Sequence, residues 1–215
     1  MSSALPKERA ISFSEPMVIA LPRIVRAKTM TRRVAKLPRW AEPVSATEQF
    51  EIIDGRPHAI SRKTGCLAEV HCPYGQPGDR LWVREHYFKV QSGIAMYRAD
   101  GKGNQLKPPR WTPPMLMPRW ASRFTLEIIA TRFERLHDIT DEDCLREGIV
   151  EFTKDGNLVK YDYFKDHELG SRHWKDMART PIGAFSLLWD DIGGTGAWAR
   201  NDYVWVLTFK RLARS

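Results

Sequence analysis

Residues 23 to 39 read RIVRAKTMTRRVAKLPR, with seven basic side chains and no acidic one. Within the stretch, Lys28 and Thr31 stand three residues apart. A lysine and a hydroxyl at that spacing share a face in a helical turn but not along a strand. The pair therefore predicts a turn where a helix passes into a strand. Upstream, MVIALPRIVRA puts Met17, Ala20, Ile24 and Ala27 near one face at helical spacing. Ser14 is a capping residue for this helix, and Pro22 kinks it or makes it restart. Downstream, Thr31 to Val34 reads as a strand. Two readings of the stretch compete: a strip that grips phosphates, or the nucleophile-and-base half of a catalytic site.

Working outward, strands outnumber helices. Ile11 to Phe13 alternates around a serine. Phe50 to Ile53 and His58 to Ser61 form a hairpin around Asp54-Gly55. Arg80 to Glu85 is a strand with Leu81 and Val83 facing one way and Trp82 the other. Ala95 to Arg98 is a further short strand. Arg123 to Leu136 is long enough to bend around a barrel. Val150 to Thr153 and Leu158 to Tyr161 make a second hairpin around Asp155-Gly156. Tyr203 to Phe209 is nearly all apolar, as a central or barrel-closing strand is. Helices are expected at Thr140 to Glu147, capped by Thr140 and stopped by Gly148, and from Pro181 to Gly193-Gly194, with Ile182, Phe185, Trp189 and Ile192 inward. Short strands, few helices and no βαβ rhythm predict a small curved sheet or barrel with helical additions.

The chain of 215 residues fits one large domain. A hydrophobic fraction of 42% and a charged fraction of 28% exclude global disorder. No apolar run reaches the roughly 18 residues of a membrane-spanning helix, and the N-terminus lacks the apolar segment of a secretory signal. Three cysteines, Cys66, Cys72 and Cys144, are too few and too odd for a disulfide framework. A cytoplasmic protein is expected. The net charge of +8 favours polyanionic partners. Cys66, His71 and Cys72 with His58 match no compact chelate spacing, so neither metal nor cofactor is implied.

The combination of Lys28-x-x-Thr31-x-Arg33, Pro77-Gly78-Asp79-x-Leu81-x-Val83, the helix end Glu147-Gly148 and the last apolar strand resembles the ASCH domain family. It is most similar to members carried by phages and prophages, with CPYGQPGDRLWVRE and MPRWASR the closest stretches. The resemblance covers the whole chain, with insertions near 36–72, 102–118 and 151–179. It implies an α+β fold built on a small β-barrel like that of PUA domains, with flanking helices and loop insertions. Some bacterial ASCH proteins are amidohydrolases of N4-acetylcytidine whose lysine, threonine and glutamate correspond to Lys28, Thr31 and Glu147. The family often has glycine where this chain has Arg26, which puts the local backbone turn in doubt.

The chemistry is coherent on its own terms. A neutral lysine can take the proton of Thr31 for attack on an amide carbonyl, and Glu147 can relay a proton to the leaving amine. With an ordinary pKa of about 10.4, roughly one lysine in a few thousand is neutral at pH 7. Arg26, Arg32 and Arg33 would lower that pKa and a close Glu147 would raise it. The competing reading makes Lys28 and Thr31 phosphate ligands and Glu147 a structural ion-pair partner, and in either reading Arg26, Arg32 and Arg33 are expected to contact the nucleic acid or substrate. Trp111 and Trp120, among Arg119 and Arg123, suit base stacking with phosphate contact, or packing at the barrel mouth. Asp79 fixes the turn before its strand. The expected partners are RNA, single-stranded nucleic acid or a modified nucleoside. A nuclease is disfavoured because no carboxylate cluster for metal ions is evident.

Overall fold

The computed structural model of the chain describes residues 5–22, 27–90, 93–103, 110–163 and 173–213. Its strands are β1 (Glu8–Ser12), β2 (Met30–Val34), β3 (Ala41–Glu42), β4 (Glu51–Ile53), β5 (Arg56–Ser61), β6 (Leu67–Glu69), β7 (Arg80–Arg84), β8 (Tyr87–Lys89), β9 (Ala95–Tyr97), β10 (Thr125–Arg135), β11 (Val150–Lys154), β12 (Leu158–Asp162) and β13 (Tyr203–Arg211). The α-helices are α1 (Glu15–Ala20), α2 (Asp141–Arg146) and α3 (Pro181–Gly193). The class is α+β, with strands predominating.

A five-stranded sheet in the order β1-β7-β10-β13-β2 organises the molecule. β1 and β7 are parallel, and the other neighbours are antiparallel. The barrel expected from the sequence is not closed: among the described residues no ladder joins the edge strands β1 and β2. The sheet nevertheless curls. A bulge between Ile128 and Ala130 bends β10, as an extra residue in one strand does. The two edges come within reach of one side chain, for Arg33 Nη2 in β2 donates to the carbonyl of Ser12 in β1 at 2.7 Å. A guanidinium spans the gap that a ladder would otherwise close.

β13 is central and buried on both faces, which explains its unbroken apolar run. Leu207 and Phe209 point into a core with Ile11, Phe13, Val83 and Leu126, covered by α1. Val204 and Val206 point the other way, into a core with Met30, Leu136, Cys144 and Phe185 beneath α2 and α3. Trp205 returns to the first face but meets Phe50, Ala59 and Val70 of the β3–β6 sheet. Three cores thus meet along one strand through simple alternation.

Local predictions fare unevenly. Both hairpin turns have positive φ at the expected pairs, Asp54 with Gly55 and Asp155 with Gly156, the geometry a two-residue antiparallel connection favours. The Thr140 hydroxyl accepts from Asp143 N at 3.2 Å, and that of Thr180 from Gly183 N at 3.1 Å, capping α2 and α3. Ser14 makes no capping bond. The helix predicted to run from Pro16 towards Ala27 ends at Ala20, and by Met30 the chain is a strand. Ile24, expected on its buried face, lies outside the described residues. Asp79 does hold its turn, accepting from Lys7 N, Gln76 N and Arg9 Nη1 at 3.0, 3.2 and 2.9 Å.

Candidate active site

The segment leading into β2 is sewn between two helix ends. Lys28 N donates to the carbonyl of Ala20 at the end of α1, and Thr29 N to that of Arg146 at the end of α2. This clamp carries the Lys28 side chain inward, where only 2% of the residue is exposed. Gly148 makes the approach possible. Its φ of +103° ends α2, and a Cβ there would lie 2.7 Å from that of Ala20. Glycine alone tolerates both the dihedral and the closeness.

At the C-cap of α2, Glu147 turns its carboxylate back onto Lys28. Lys28 Nζ donates to Glu147 Oε2 at 2.5 Å and to the Glu147 carbonyl at 2.6 Å. Burial is the largest influence on the Lys28 amine and lowers its pKa; Glu147 opposes that, and the net direction is down. The other carboxylate oxygen, Glu147 Oε1, is buried without a hydrogen bond among the described residues, its cation neighbour being Arg32 Nη1 at 3.6 Å.

Thr31 is also buried, and its hydroxyl has no hydrogen-bond partner among the described residues. The helical turn expected to bring it beside Lys28 is absent, because Thr31 belongs to β2 and residues 27–29 have no regular structure. Thr31 pairs across the ladder with Leu207, so its side chain shares the face of the α1-covered core. The structure therefore joins Lys28 to Glu147 directly and leaves Thr31 adjacent in sequence but unbonded to either.

The basic residues divide. Arg26 lies outside the described residues. Arg32 is an internal strut: its Nη2 donates to Asp143 at 2.6 Å and Glu134 at 2.7 Å, while Arg132 Nη2 also reaches the same Asp143 oxygen at 2.7 Å. Burial is the largest influence on the Asp143 carboxyl and raises its pKa, but the bonds and charges of Arg32 and Arg132 outweigh it and hold it below the ordinary range. Arg33 spans the sheet edges and lies over the Phe13 ring at 5.1 Å.

Trp111, Arg119, Trp120 and Arg123 are not brought to Lys28. Arg119, Trp120 and Arg123 share a separate cleft of about 570 Å³ with Arg80 and Thr125. Arg123 forms a double contact with Glu85, 2.8 Å each, and reaches Asp100 at 2.5 Å, so its guanidinium is internally matched. Arg119 pairs with Glu8 at 3.2 Å, and Trp120 is 53% exposed beneath the Lys89 amine. Trp111 is half-buried, next to the bridge between Thr112 and Tyr87.

Sequence reasoning missed the space beside Glu147. A cavity of about 190 Å³ lies between β2 and α3, with Arg32, Arg33 and Glu147 on its polar side. Phe185, Leu188, Trp189 and Ile192 form an apolar wall from α3, with Met17 of α1 and Arg200 also lining the space. Ile192, predicted inward, is 48% exposed because that face of α3 borders a cavity. The available signal was an apolar stripe on α3 that continues to the helix end.

The chain matches no protein-family model, no curated protein and no solved structure. Among the described residues no group of three or more His, Cys, Asp and Glu side chains could hold a metal ion. Among them, too, no helix is long and apolar enough to cross a membrane. The functional reading therefore rests on the site.

Proposed function

We propose that this is an ASCH-type protein of the PUA-like superfamily. In this reading it takes the base of a modified nucleobase or nucleoside into the cavity between β2 and α3 and hydrolyses an amide on it, N4-acetylcytidine being the family precedent. The observation that supports this most is the divided role of Glu147. One buried carboxylate oxygen holds Lys28, the other has no hydrogen bond among the described residues and lies 3.6 Å from Arg32 Nη1, and Glu147 itself lines a ring-sized, aromatic-walled cavity. A buried polar atom left unpaired costs about 1–3 kcal/mol, which is why such atoms are uncommon away from functional positions.

Glu147 lines the cavity while Lys28 and Thr31 do not, and Thr31 faces the α1-covered core, so this mechanism requires the acyl group to pass Glu147 to reach Thr31, where the neutral Lys28 amine takes the hydroxyl proton. The Thr31 oxygen then bonds to the acyl carbon, and the tetrahedral intermediate collapses with cleavage of the carbon–nitrogen bond. Glu147 relays the proton from Lys28 to the departing amine. Water then cleaves the acyl-threonine ester, releasing the carboxylic acid and restoring the hydroxyl. Burial of Lys28 favours the neutral form this step needs.

A second reading has its own observation. The Thr31 hydroxyl is not bonded to Lys28, and the Lys28 amine is already engaged twice by Glu147. On that basis the same cavity binds a base of RNA or single-stranded nucleic acid without turnover. Incubation with N4-acetylcytidine, following release of cytidine, separates the two. Hydrolysis by the wild type and none by Thr31→Val supports the enzyme; equal rates for both proteins remove it. Tight binding without hydrolysis, weakening steeply with salt, supports the module.

A further inference from the structure

The 190 Å³ cavity is smaller than the roughly 300–1,000 Å³ of sites that enclose a whole drug-sized ligand. It has room for a ring but not for a ring with its sugar and phosphate. What adjoins it therefore matters. Val34 and Arg200 line the cavity and also line a second, polar groove of about 410 Å³. The two spaces meet at those residues, one on β2 and one just before β13.

The groove differs from the cavity in chemistry. Lys36, Arg135 and Arg200 supply three cations, and Thr47 and Gln49 supply neutral hydrogen-bonding groups. Its two acids are already matched: Glu48 accepts from Arg135 Nη2 at 2.7 Å with both oxygens, and Asp202 lies 3.2 Å from Arg200 Nε. Lys36 is exposed and has no ion pair among the described residues. Along one side the Arg135 guanidinium lies 3.8 Å from the centre of the Tyr203 ring, a flat surface against which a sugar can pack.

We propose that the cavity and the groove form one nucleotide site, with the base in the cavity, the ribose crossing Val34, and a phosphate held by Lys36 and Arg200. This rests on the reading that the cavity takes a nucleobase, and it names the ligand class: a 5′- or 3′-phosphorylated nucleoside, free or within a strand, rather than a bare nucleoside. With Arg135 and Arg200 matched by the two acids, Lys36 is left as the excess positive charge of the groove, and it does not line the cavity, while Arg200 stands at the junction. A phosphate would sit there, in charge-assisted contact, while the base stays desolvated.

The test is calorimetric titration of the full chain with cytidine, cytidine 5′-monophosphate, cytidine 3′-monophosphate and a five-residue cytidine oligonucleotide at low and high salt. At least one monophosphate should bind about tenfold tighter than cytidine at low salt, the value of one good ionic contact, and the difference should shrink as salt rises. Lys36→Ala and Arg200→Ala should each bring that ratio close to one, and Lys36→Arg should restore most of it. An oligonucleotide that binds tighter still, with a steeper salt dependence, identifies a strand as the source; equality with the monophosphate identifies a free nucleotide. Equal affinities for cytidine and both monophosphates in the wild type overturn the proposal. So does a parallel loss of both in the alanine variants, or phosphate binding that cytidine does not share. Loss of hydrolysis alone, with the phosphate preference intact, removes the enzyme reading and leaves this site standing.

Discussion

The Lys28 amine and the Glu147 carboxylate meet at 2.5 Å across 119 residues of chain, both shut away from solvent. A buried ion pair of this kind is costly to break, because removing one partner strands the other charge in a low-dielectric interior. Lys28→Met and Glu147→Gln should each lower the unfolding free energy by about 3–5 kcal/mol, read by urea denaturation. The double variant Lys28→Met with Glu147→Gln should lose less than the sum of the two single losses. Strict additivity would show that the two side chains are not coupled in solution.

The lowered pKa of Lys28 carries a pH dependence. In the window below the ordinary lysine value of about 10.4, the unfolded chain binds this proton more tightly than the folded one, so the Lys28 contribution to stability rises with pH. Wild type should gain on a Lys28→Met variant as pH climbs towards that value. A gap that stays constant would mean the folded amine titrates as it does in water.

Thr31 offers a trade between stability and activity. Its hydroxyl is buried and has no hydrogen-bond partner among the described residues, so Thr31→Val replaces that polar atom with a methyl of similar shape. The change should be neutral or stabilising by about 1 kcal/mol, while hydrolysis of N4-acetylcytidine disappears. A variant that loses stability instead would point to a hydrogen bond in solution that the structure lacks.

Asp143 should govern part of the acid sensitivity. Its folded pKa is depressed, so the stability it contributes is present above the ordinary aspartate value of about 3.9 and is lost as pH falls through the folded value. Asp143→Asn should be clearly less stable than wild type at pH 7, and the difference should narrow below pH 4. Curves that stay parallel down to the acid transition would rule out this carboxylate as a source.

Gly148→Ala should cost about 2–5 kcal/mol, combining a left-handed dihedral with a contact too short for two carbons. Adding Ala20→Gly should recover the contact share but not the dihedral share. Thermal denaturation of the single and double variants decides this, and an unchanged melting temperature in Gly148→Ala would contradict the packing described.

Arg123, one of the arginines expected to contact nucleic acid, should behave as a structural residue. Arg123→Met strands the buried Glu85, whose pKa burial already raises, and should destabilise the fold by about 3–5 kcal/mol. Arg80→Ala, on the same cleft, should leave stability within about 0.5 kcal/mol of wild type, as surface changes do.

Much of this architecture is local, and local features are legible in a sequence. Alternation marked β7 and the buried run marked β13. Asp54-Gly55 and Asp155-Gly156 marked their turns, and Thr140 and Gly148 marked the two ends of α2, because each depends on the dihedrals and hydrogen bonds of a few neighbouring residues. The basic stretch from Arg23 to Arg39 was visible too, but not its division of labour. Only the curled sheet decided that Arg32 became an internal strut, that Arg33 bridged β1 and β2, and that Lys28 and Thr31 turned to different neighbours. Those outcomes depend on strand register and on which helix covers which face, and both are set by contacts a hundred residues apart. For the same reason the cavity beside Glu147 could not be read in advance: a void is a property of the surfaces that fail to meet, and no residue type encodes it.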